Sequence, residues 1–371
     1  MSAAAKEEWK LAQVEDAIAA MQRGEMVIMV DDEDRENEGD LVVAAEHVNS
    51  ETIAFMAREG RGLICLAMDT EIADRLSLPP MTASNLTPFG TAFTISIDAS
   101  TGIQDGLSAA DRAHTVRTAV AEGSCAQDLV SPGHIFPLRA RPGGVLVRSG
   151  QTEGSVDLAR MAGATPAAVI CEIMREDGTM ARMPQLQAFA KENDLLITSV
   201  ADLIKYRLMH ETLVEEVARA ALPSRYGDFQ VRVFSSKADQ KDHVVLQLGD
   251  IDPDKETLVR VHRANLVWDV FGRFRSEQDG VLEKSLEAIK EEGSGVLLYL
   301  EHEDLRWEGM GERASEGSAM PFRAYGIGAQ ILRSLGLQKI RVLTRTDSPR
   351  AFVGLKAFGL DIQSFRALES S

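Results

Sequence analysis

Residues 26–45 read MVIMVDDEDRENEGDLVVAA, two apolar runs separated by a strongly charged segment. The runs at 26–30 and 41–45 are short, apolar and bounded by polar residues, which predicts two buried strands. Seven of the ten residues from Asp31 to Asp40 are acidic, and Arg35 stands among them. A solvated loop would account for the charge. It would not account for the arginine, or for the apolar run that resumes at once.

Helical and strand patterns alternate on both sides of this segment. The apolar spacing over 10–23 predicts a helix, and Gly24 is expected to end it. Two further helices are predicted over 50–59 and 108–121, with Ser50 and Ser108 as N-caps. The other predictions are strands over 63–68, 91–98 and 166–174, a loop over 76–90, a helix from about Thr152, a helix over 183–193, and a strand followed by a helix over 195–207.

From about residue 208 the pattern is that of a second unit. A helical pattern continues over 210–220 and breaks at 221–230. Strands are predicted at VRVF, HVVLQLGDI, TLVRVHRANL and GVLLYL, helices over 279–291 and 323–335, and a strand over 340–344. The predicted fold class is therefore α/β (α+β), with two layered mixed-sheet domains at 1–207 and 222–371 and a linker at 208–221.

Composition excludes several classes of partner. The chain has 371 residues, a net charge of −17 and 44% hydrophobic residues, which suits two packed, soluble domains. So acidic a chain does not suit binding to nucleic acid or to an anionic membrane, because both need a basic face. A small anionic substrate remains possible, since a few arginines or a metal ion reverse the field locally.

Cysteine usage and the N-terminus indicate a cytoplasmic protein. Cys65, Cys125 and Cys171 are odd in number and far apart, so they form neither a zinc-type pair nor a secreted disulfide pattern. No apolar run reaches the roughly 18–20 residues of a membrane span. The N-terminus, MSAAAKEEWK, has no apolar core of a signal peptide.

The acidic segment is the first candidate site. Glu36, Glu38 and Asp40 alternate, so in an extended chain they project to one side. Converging carboxylates repel one another unless a cation lies among them, and Mg²⁺ favours such oxygen ligands. Arg35 could bind a phosphate or pair with a carboxylate. Taken alone, a solvated loop remains the simpler interpretation.

Three other segments carry candidate groups. In SPGHIFPL (131–138), His134 is either a satisfied, partly buried side chain or a general acid–base. RSGQTEG (148–154) is either a simple capping turn or a phosphate site at a helix N-terminus, with Arg148 and Thr152 as donors. Glu172 interrupts an apolar strand, so it must end the strand, be paired, or be functional. No dinucleotide-binding or P-loop motif occurs.

Taken together, these motifs resemble 3,4-dihydroxy-2-butanone 4-phosphate synthase of riboflavin biosynthesis over about residues 10–207. The resemblance is carried by DDEDRENEGDLVVAAE, SAADRAHT, SPGHIFPLRA, GGVLVRSGQTEGSVDLARMAG, ICEIMREDGTMAR and ITSVADLIKYR. It implies conversion of D-ribulose 5-phosphate to L-3,4-dihydroxy-2-butanone 4-phosphate and formate, with Mg²⁺ or Mn²⁺. It also implies a homodimer with sites near the subunit interface.

The resemblance assigns roles to residues by their position in the motifs. His134 and Glu172 correspond to the residues essential for catalysis, and Glu36 and Gln151 to metal ligands. The substrate contacts implied are Arg35, Glu36, Asp40, Arg148, Ser149, Gly150, Gln151, Thr152 and Glu172. Gln151 departs from the family, which usually has a histidine there. An amide oxygen still suits Mg²⁺, although it suits softer metals poorly.

The second half resembles GTP cyclohydrolase II, through LPSRYGDF, VLQLGDI, LVRVH, DVFG and GAQILRSLGLQKIRVLT. That family needs three zinc-binding cysteines, whose positions correspond to Asn265, Ser276 and Gln278 here. We therefore expect no zinc and a degenerate domain without cyclohydrolase activity. Arg260 and the TRTDSPR segment (344–350) are the candidate anion contacts. Two alternatives stay open, a bifunctional synthase and cyclohydrolase, and a non-catalytic regulatory protein.

Overall fold

The computed structural model describes residues 11–32, 35–264, 269, 280–301, 322–344 and 358–368. The chain divides into two compact units, one ending at Tyr206 and the other beginning at Arg207. In the described residues, each unit holds one seven-stranded sheet with helices, and both sheets mix parallel and antiparallel pairs. The predicted fold class of two mixed-sheet α/β units is confirmed.

The first unit is built on strands in the order β4-β5-β3-β6-β2-β1-β7. The strands are β1 (Val27–Val30), β2 (Gly39–Ala44), β3 (Cys65–Met68), β4 (Ile97–Ala99), β5 (Leu129–Arg139), β6 (Ala167–Glu172) and β7 (Leu196–Ser199). The helices are α1 (Val14–Gln22), α2 (Ser50–Phe55), α3 (Thr70–Arg75), α4 (Ala109–Val120), α5 (Gln151–Met161), α6 (Met183–Asn193) and α7 (Val200–His210), and the last of these runs into the second unit.

Both faces of this sheet are buried, which explains its continuous apolar strands. Alternate residues of β1 enter different cores, with Ile28 on one face and Met29 on the other. The face that holds Met29 packs against α1 and α5, and the opposite face packs against α2, α4 and α6. Gln151, the first residue of α5, accepts a hydrogen bond from Arg35, which lies in the segment between β1 and β2.

The second unit has the strand order β14-β13-β11-β12-β10-β9-β8. The strands are β8 (Val214–Ser224), β9 (Gly227–Ser236), β10 (Lys241–Leu248), β11 (Glu256–Arg263), β12 (Gly295–Leu300), β13 (Lys339–Thr344) and β14 (Asp361–Ala367). The helices are α8 (Val281–Glu292) and α9 (Phe322–Ser334). No helix among the described residues is both long and apolar enough to cross a membrane.

The structure corrects several sequence predictions. The helix predicted over 210–220 is wrong, because α7 ends at His210 and the chain pairs with β9 as strand β8 from Val214 onward. The predicted linker at 208–221 accordingly covers the end of α7 and most of β8. The N-cap of α2 is Asn49, whose side chain accepts the Thr52 N–H, and not Ser50. The strand predicted over 91–98 is confined to β4, and strands β5 and β14 were not anticipated.

Candidate active site

The acidic segment folds around the buried carboxylate of Asp31. Asp31 Oδ1 accepts the backbone N–H of Glu38 at 2.8 Å, and Oδ2 accepts that of Glu36 at 3.1 Å. Oδ2 also accepts a hydrogen bond from Arg35 Nη1 at 2.7 Å, and the Asp31 side chain is fully buried. Charge-assisted bonds of this kind hold the loop in one shape. This acidic residue is therefore structural, and the loop is not simply a solvated one.

Asp40 and Glu172 face each other across the sheet. They are partners in the antiparallel register of β2 and β6, at the end where β2 begins and β6 stops. Glu172 Oε2 accepts the backbone N–H of Leu63 at 2.8 Å. A Cβ at Gly62 would lie 2.6 Å from that same oxygen, so only glycine leaves room for the carboxylate. Of the three alternatives that the sequence leaves open for Glu172, the first applies, since Glu172 is the last residue of β6.

Burial and mutual repulsion act on these carboxylates. Burial, and after it the charge of Glu172, raises the pKa of Asp40 well above its ordinary value. Burial, and then the charge of Glu36, also raises the pKa of Glu38. The end of the sheet therefore holds more negative charge than it can stabilise by itself, and a bound cation would relieve it.

Two guanidinium groups meet where α5 begins. Gly150 is the N-cap of α5, and a Cβ there would lie 2.5 Å from Arg148 Nη1 and 3.0 Å from Arg35 Nη2. Arg148 Nη1 is paired at 2.6 Å with Glu153, which is buried. Ser149 is half-buried and Thr152 is buried, both beside this start. A helix N-terminus with two arginines suits a phosphate group.

Arg35 links the two predicted metal ligands. Its Nη1 donates to Gln151 Oε1 at 2.9 Å, and its Nη2 lies 3.1 Å from Glu36 Oε1. Among the described residues Gln151 Nε2 is buried without a hydrogen-bond partner, and it is Oε1 that meets the Arg35 guanidinium group. Within the described residues, no three His, Cys, Asp or Glu side chains could hold a metal ion by themselves. Glu36 and Gln151 therefore fit Mg²⁺ as a partial oxygen set, which water and substrate would complete.

His134 lies along the same sheet edge but not beside Glu172. Cys65 of β3 pairs with both Phe136 and Ile170. Strand β3 lies between β5, which carries His134, and β6, which ends at Glu172. Two strand spacings, about 10 Å, therefore separate β5 from β6. His134 Nδ1 instead lies 2.8 Å from Asp98 Oδ2.

Sequence reasoning missed the groups that support these side chains. Asp31 was read only as part of the acidic run, and Glu153 only as a helix-start residue. Arg182 was not considered, although its Nη1 donates to the carbonyl oxygens of Glu36 and Asn37. Asp98 had one available signal, since it is a charged residue in an alternating strand pattern.

In the second unit, several of the described polar groups bond to one another. Asp269 accepts hydrogen bonds from His262 and from Tyr299, both at 2.8 Å. Arg260, a predicted anion contact, donates to the Leu343 carbonyl at 3.1 Å. The positions predicted to replace the zinc cysteines, and the TRTDSPR segment after Thr344, lie outside the described residues: Asn265, Ser276, Gln278 and 345–350.

Comparisons with known proteins agree with this two-unit architecture. Residues 15–206 match the family model for 3,4-dihydroxy-2-butanone 4-phosphate synthase, and residues 215–367 match that for GTP cyclohydrolase II. The chain is 49% identical to the riboflavin biosynthesis protein RibBA of Aquifex aeolicus, over 96% of this chain and 92% of that protein.

Two solved structures are similar in fold. One is RibBX of A. baumannii, described as a two-domain 3,4-dihydroxy-2-butanone 4-phosphate synthase, with a TM-score of 0.80 and 39% identity over 96% of this chain and all of that one. The other is a 3,4-dihydroxy-2-butanone 4-phosphate synthase in complex with two magnesium ions. It has a TM-score of 0.51 and 40% identity, and covers 53% of this chain and 96% of that one.

Proposed function

The chain belongs to the 3,4-dihydroxy-2-butanone 4-phosphate synthase family, and from this premise we propose how its residues divide the work. It is a magnesium-dependent lyase of riboflavin biosynthesis that converts D-ribulose 5-phosphate to L-3,4-dihydroxy-2-butanone 4-phosphate and formate. One observation carries the assignment of roles. Asp40 and Glu172 face each other at the sheet end, beside the start of α5 with its two arginines.

Glu172 and His134 are assigned as the catalytic residues. Glu172 Oε2 is held by the Leu63 N–H, which fixes the carboxylate and leaves Oε1 for the substrate. Burial, and then the charge of Glu172, raises the pKa of Asp40, so Asp40 keeps its proton more readily than a free carboxyl group does. One acid and one base are what enolisation and loss of water require. His134, which lies on strand β5, exchanges a further proton with the substrate.

The arginine pair is assigned to the substrate phosphate. The Arg35 and Arg148 guanidinium groups meet at Gly150, where the first backbone N–H groups of α5 also point. Phe89 lies over Arg35, with 5.3 Å from Cζ to the ring centroid, and the Phe89 carbonyl accepts a hydrogen bond from Arg148 at 3.2 Å. Phe89 therefore keeps both guanidinium groups in place. Ser149 and Thr152 would add hydroxyl donors to the same phosphate.

Glu36 and Gln151 are the residues that would hold Mg²⁺, with Mn²⁺ as a substitute. Bound there, the ion would polarise the carbonyl and hydroxyl oxygens of the sugar. Both side chains bond Arg35, so this arginine holds the two ligand oxygens toward one point. Gln151 is neutral, as the imidazole it replaces would be, and its oxygen suits this hard cation.

Formate release from ribulose 5-phosphate tests the assignment directly. The full chain with Mg²⁺ should release formate, EDTA should abolish the release, and added Mg²⁺ should restore it. Substitution of Glu172→Gln should lower the release between about a hundredfold and ten-thousandfold when Mg²⁺ is present. If the wild-type chain released no formate with Mg²⁺ present, the protein would be a non-catalytic relative, which is the alternative that the Gln151 departure raises.

We assign no GTP cyclohydrolase activity to the second unit. No cysteine follows Cys171 in the chain, so a thiolate zinc site of the usual type has no ligands there. The match of residues 215–367 to the GTP cyclohydrolase II family favours the alternative of a bifunctional enzyme. Incubation with GTP should yield neither formate nor pyrophosphate. A zinc content near one per chain, together with either product, would support the bifunctional reading.

We further propose a cytoplasmic homodimer. Leu63 is 41% exposed, Val130 48% and Leu107 59%, and each is close in the chain or sheet to a proposed site residue. Apolar exposure around a site suits burial by a second subunit. The three cysteines are free, in keeping with a reducing compartment. Sedimentation of the full chain should give twice the chain mass, and Leu107→Glu with Val130→Glu should shift it to the monomer.

We propose that the boundary between the catalytic first domain and the non-catalytic second domain lies near residue 207. The chain divides into its two compact units at this point. The expected consequence is that residues 1–210 alone turn over ribulose 5-phosphate as fast as the full chain. A truncated protein that folds, as judged by circular dichroism, but loses turnover would make the second unit a required part of the enzyme.

A further inference from the structure

Asp98 holds His134 at two points. Asp98 Oδ1 accepts the backbone N–H of His134 at 2.9 Å, and Oδ2 lies 2.8 Å from the ring Nδ1. An ionised carboxylate only accepts hydrogen bonds, so Nδ1 carries the ring hydrogen and donates it. In the neutral ring, Nε2 is then the free base. The Asp98 side chain is 8% exposed and the His134 side chain is 42% exposed, so the carboxylate is buried while the ring remains accessible.

The surrounding loop protects this hydrogen bond. Gly106 has φ +82°, and a Cβ at this position would lie 2.2 Å from Asp98 Oδ2 and 2.8 Å from His134 Nδ1. The loop is held there by Asp111, which accepts the backbone N–H groups of Gln104, Asp105 and Gly106 at 3.2–3.3 Å. Glycine is thus required for the backbone to cover the pair this closely. The Gly106 backbone therefore covers the Nδ1 hydrogen bond on that side.

We propose that Asp98 is a positioning residue that fixes the tautomer and orientation of His134, so that Nε2 faces the substrate as a proton acceptor. The proposal rests on the catalytic role of His134 proposed above. Nε2 takes one proton from the substrate, and the resulting imidazolium still donates Nδ1–H to Asp98. In a later step Nε2 returns that proton, so the ring ends in its starting state.

A purely structural role for Asp98 makes a different prediction. In that case Asp98 would only tie β4 to β5 through the His134 backbone, and an amide would serve equally well. In Asp98→Asn, Oδ1 still accepts the backbone N–H, but the Nδ2 group donates toward the ring. The imidazole must then accept at Nδ1 and carry its hydrogen on Nε2, which removes the base.

The first experiment compares two acid-to-amide substitutions in the full chain with Mg²⁺ and ribulose 5-phosphate. Asp98→Asn should lower kcat between about a hundredfold and ten-thousandfold, as loss of an orienting aspartate does elsewhere, with little change in KM. Asp105→Asn is the matched control, because Asp105 is exposed in the same loop and its side chain accepts the Leu107 N–H at 3.1 Å, away from His134 in the hydrogen-bond pattern of the described residues. It should keep wild-type kcat. Near-normal kcat in Asp98→Asn would overturn the proposal.

The second experiment reads the tautomer directly. Long-range ¹H–¹⁵N spectra of protein labelled at its seven histidines show which ring nitrogen carries the hydrogen. The His134 signals are identified by their absence in His134→Ala. They should report Nδ1–H in the wild type and Nε2–H in Asp98→Asn. The same tautomer in both proteins would contradict a positioning role, whatever the rates.

A double substitution separates this inference from the proposed function. If Asp98 acts through His134, His134→Ala combined with Asp98→Asn should turn over no more slowly than His134→Ala alone. Losses that multiply would give Asp98 a separate role and overturn the inference. Wild-type turnover in His134→Ala would instead remove His134 from the proposed mechanism. The two failures are therefore distinguishable.

Discussion

The two units treat their buried acidic groups in opposite ways. In the first unit, Asp40 and Glu172 face each other, and burial with like charge raises the pKa of Asp40 well above its ordinary value. In the second unit, Asp269 receives a hydrogen bond from His262 and another from Tyr299. Burial, and then Asp269, raises the pKa of Tyr299, which keeps the phenol protonated and donating. The carboxylates of the first cluster repel each other, whereas the Asp269 carboxylate accepts two hydrogen bonds.

This difference indicates that the cluster in the first unit is suited to binding a ligand, whereas the cluster in the second unit supports the fold. Unfavourable electrostatics in a folded protein persist only where the surrounding structure enforces them, and they concentrate at functional sites. The first unit enforces them through Asp31, Glu153 and Arg182, which hold the loops that carry charge. Four substitutions test whether the contrast is real, in order of expected effect.

The largest effect is expected from Glu172. Glu172→Gln keeps the side-chain shape but removes the base, and kcat should fall between about a hundredfold and ten-thousandfold. Glu176→Gln is the control, because the Glu176 side chain is 92% exposed in the same segment. Formate release measures both. Equal rates in the two variants would remove Glu172 from the catalytic assignment.

The next effect is expected from Asp31. Asp31→Asn removes one of the two carboxylate oxygens that hold Arg35 and the N–H groups of Glu36 and Glu38. The free energy of unfolding should fall by about 1–3 kcal/mol, and KM for ribulose 5-phosphate should rise as Arg35 loses its orientation. Asp32→Asn changes an exposed neighbour and serves as the control. Urea unfolding and steady-state kinetics would detect the difference, and matching stabilities would show that the loop needs no buried acid.

A smaller effect, of opposite sign, is expected from Asp40. The raised pKa of Asp40 means that its carboxyl group resists ionisation in the native state. Asp40 therefore destabilises the fold increasingly as the pH rises above the pKa of this group in the unfolded chain, about 3.9. Asp40→Asn cannot ionise. In EDTA, its melting temperature should exceed that of the wild type, and by more at pH 8 than at pH 5. A gain that is the same at both pH values would mean that repulsion does not operate here.

The smallest effect is expected from Gln151. The amide oxygen does not titrate, so Mg²⁺ affinity in the wild type should change little through pH 6. In Gln151→His, affinity should fall on the acid side as the imidazole protonates near pH 6.5. Calorimetric titration with Mg²⁺ at several pH values measures this. A wild type that binds no Mg²⁺ at millimolar concentration, while Gln151→His does bind, would show that Gln151 is not a ligand.

The sequence was a good guide to elements with strong local patterns. Helix α1 follows from its apolar spacing, and strands β1 and β2 follow from their continuous apolar runs, which are buried on both faces. Strand β8 was read as a helix because its apolar residues also fit helical spacing. It is an edge strand held by β9, and tertiary pairing overrides such a weak local preference.

The site was predictable as a set of residues but not as a set of pairs. Motifs indicated Arg35, Asp40 and Glu172, and the register of β2 with β6 brings the two acids together. The pairing of Asp98 with His134 spans 36 residues of sequence. No periodicity encodes such a contact, because it depends on β4 lying beside β5. Strand β5 itself was hidden by the proline and glycine residues within it.

The glycines at the site give a way of reading other sequences. At Gly62 an added methyl group would collide with the Glu172 carboxylate, and at Gly150 with the guanidinium group of Arg148. A relative that keeps both charged residues but has alanine at these two positions would have the side chains of the site without the space that they need. The space that these glycines leave is thus as necessary to the site as its charged side chains. An active enzyme with alanine at either place would show that the space is not required.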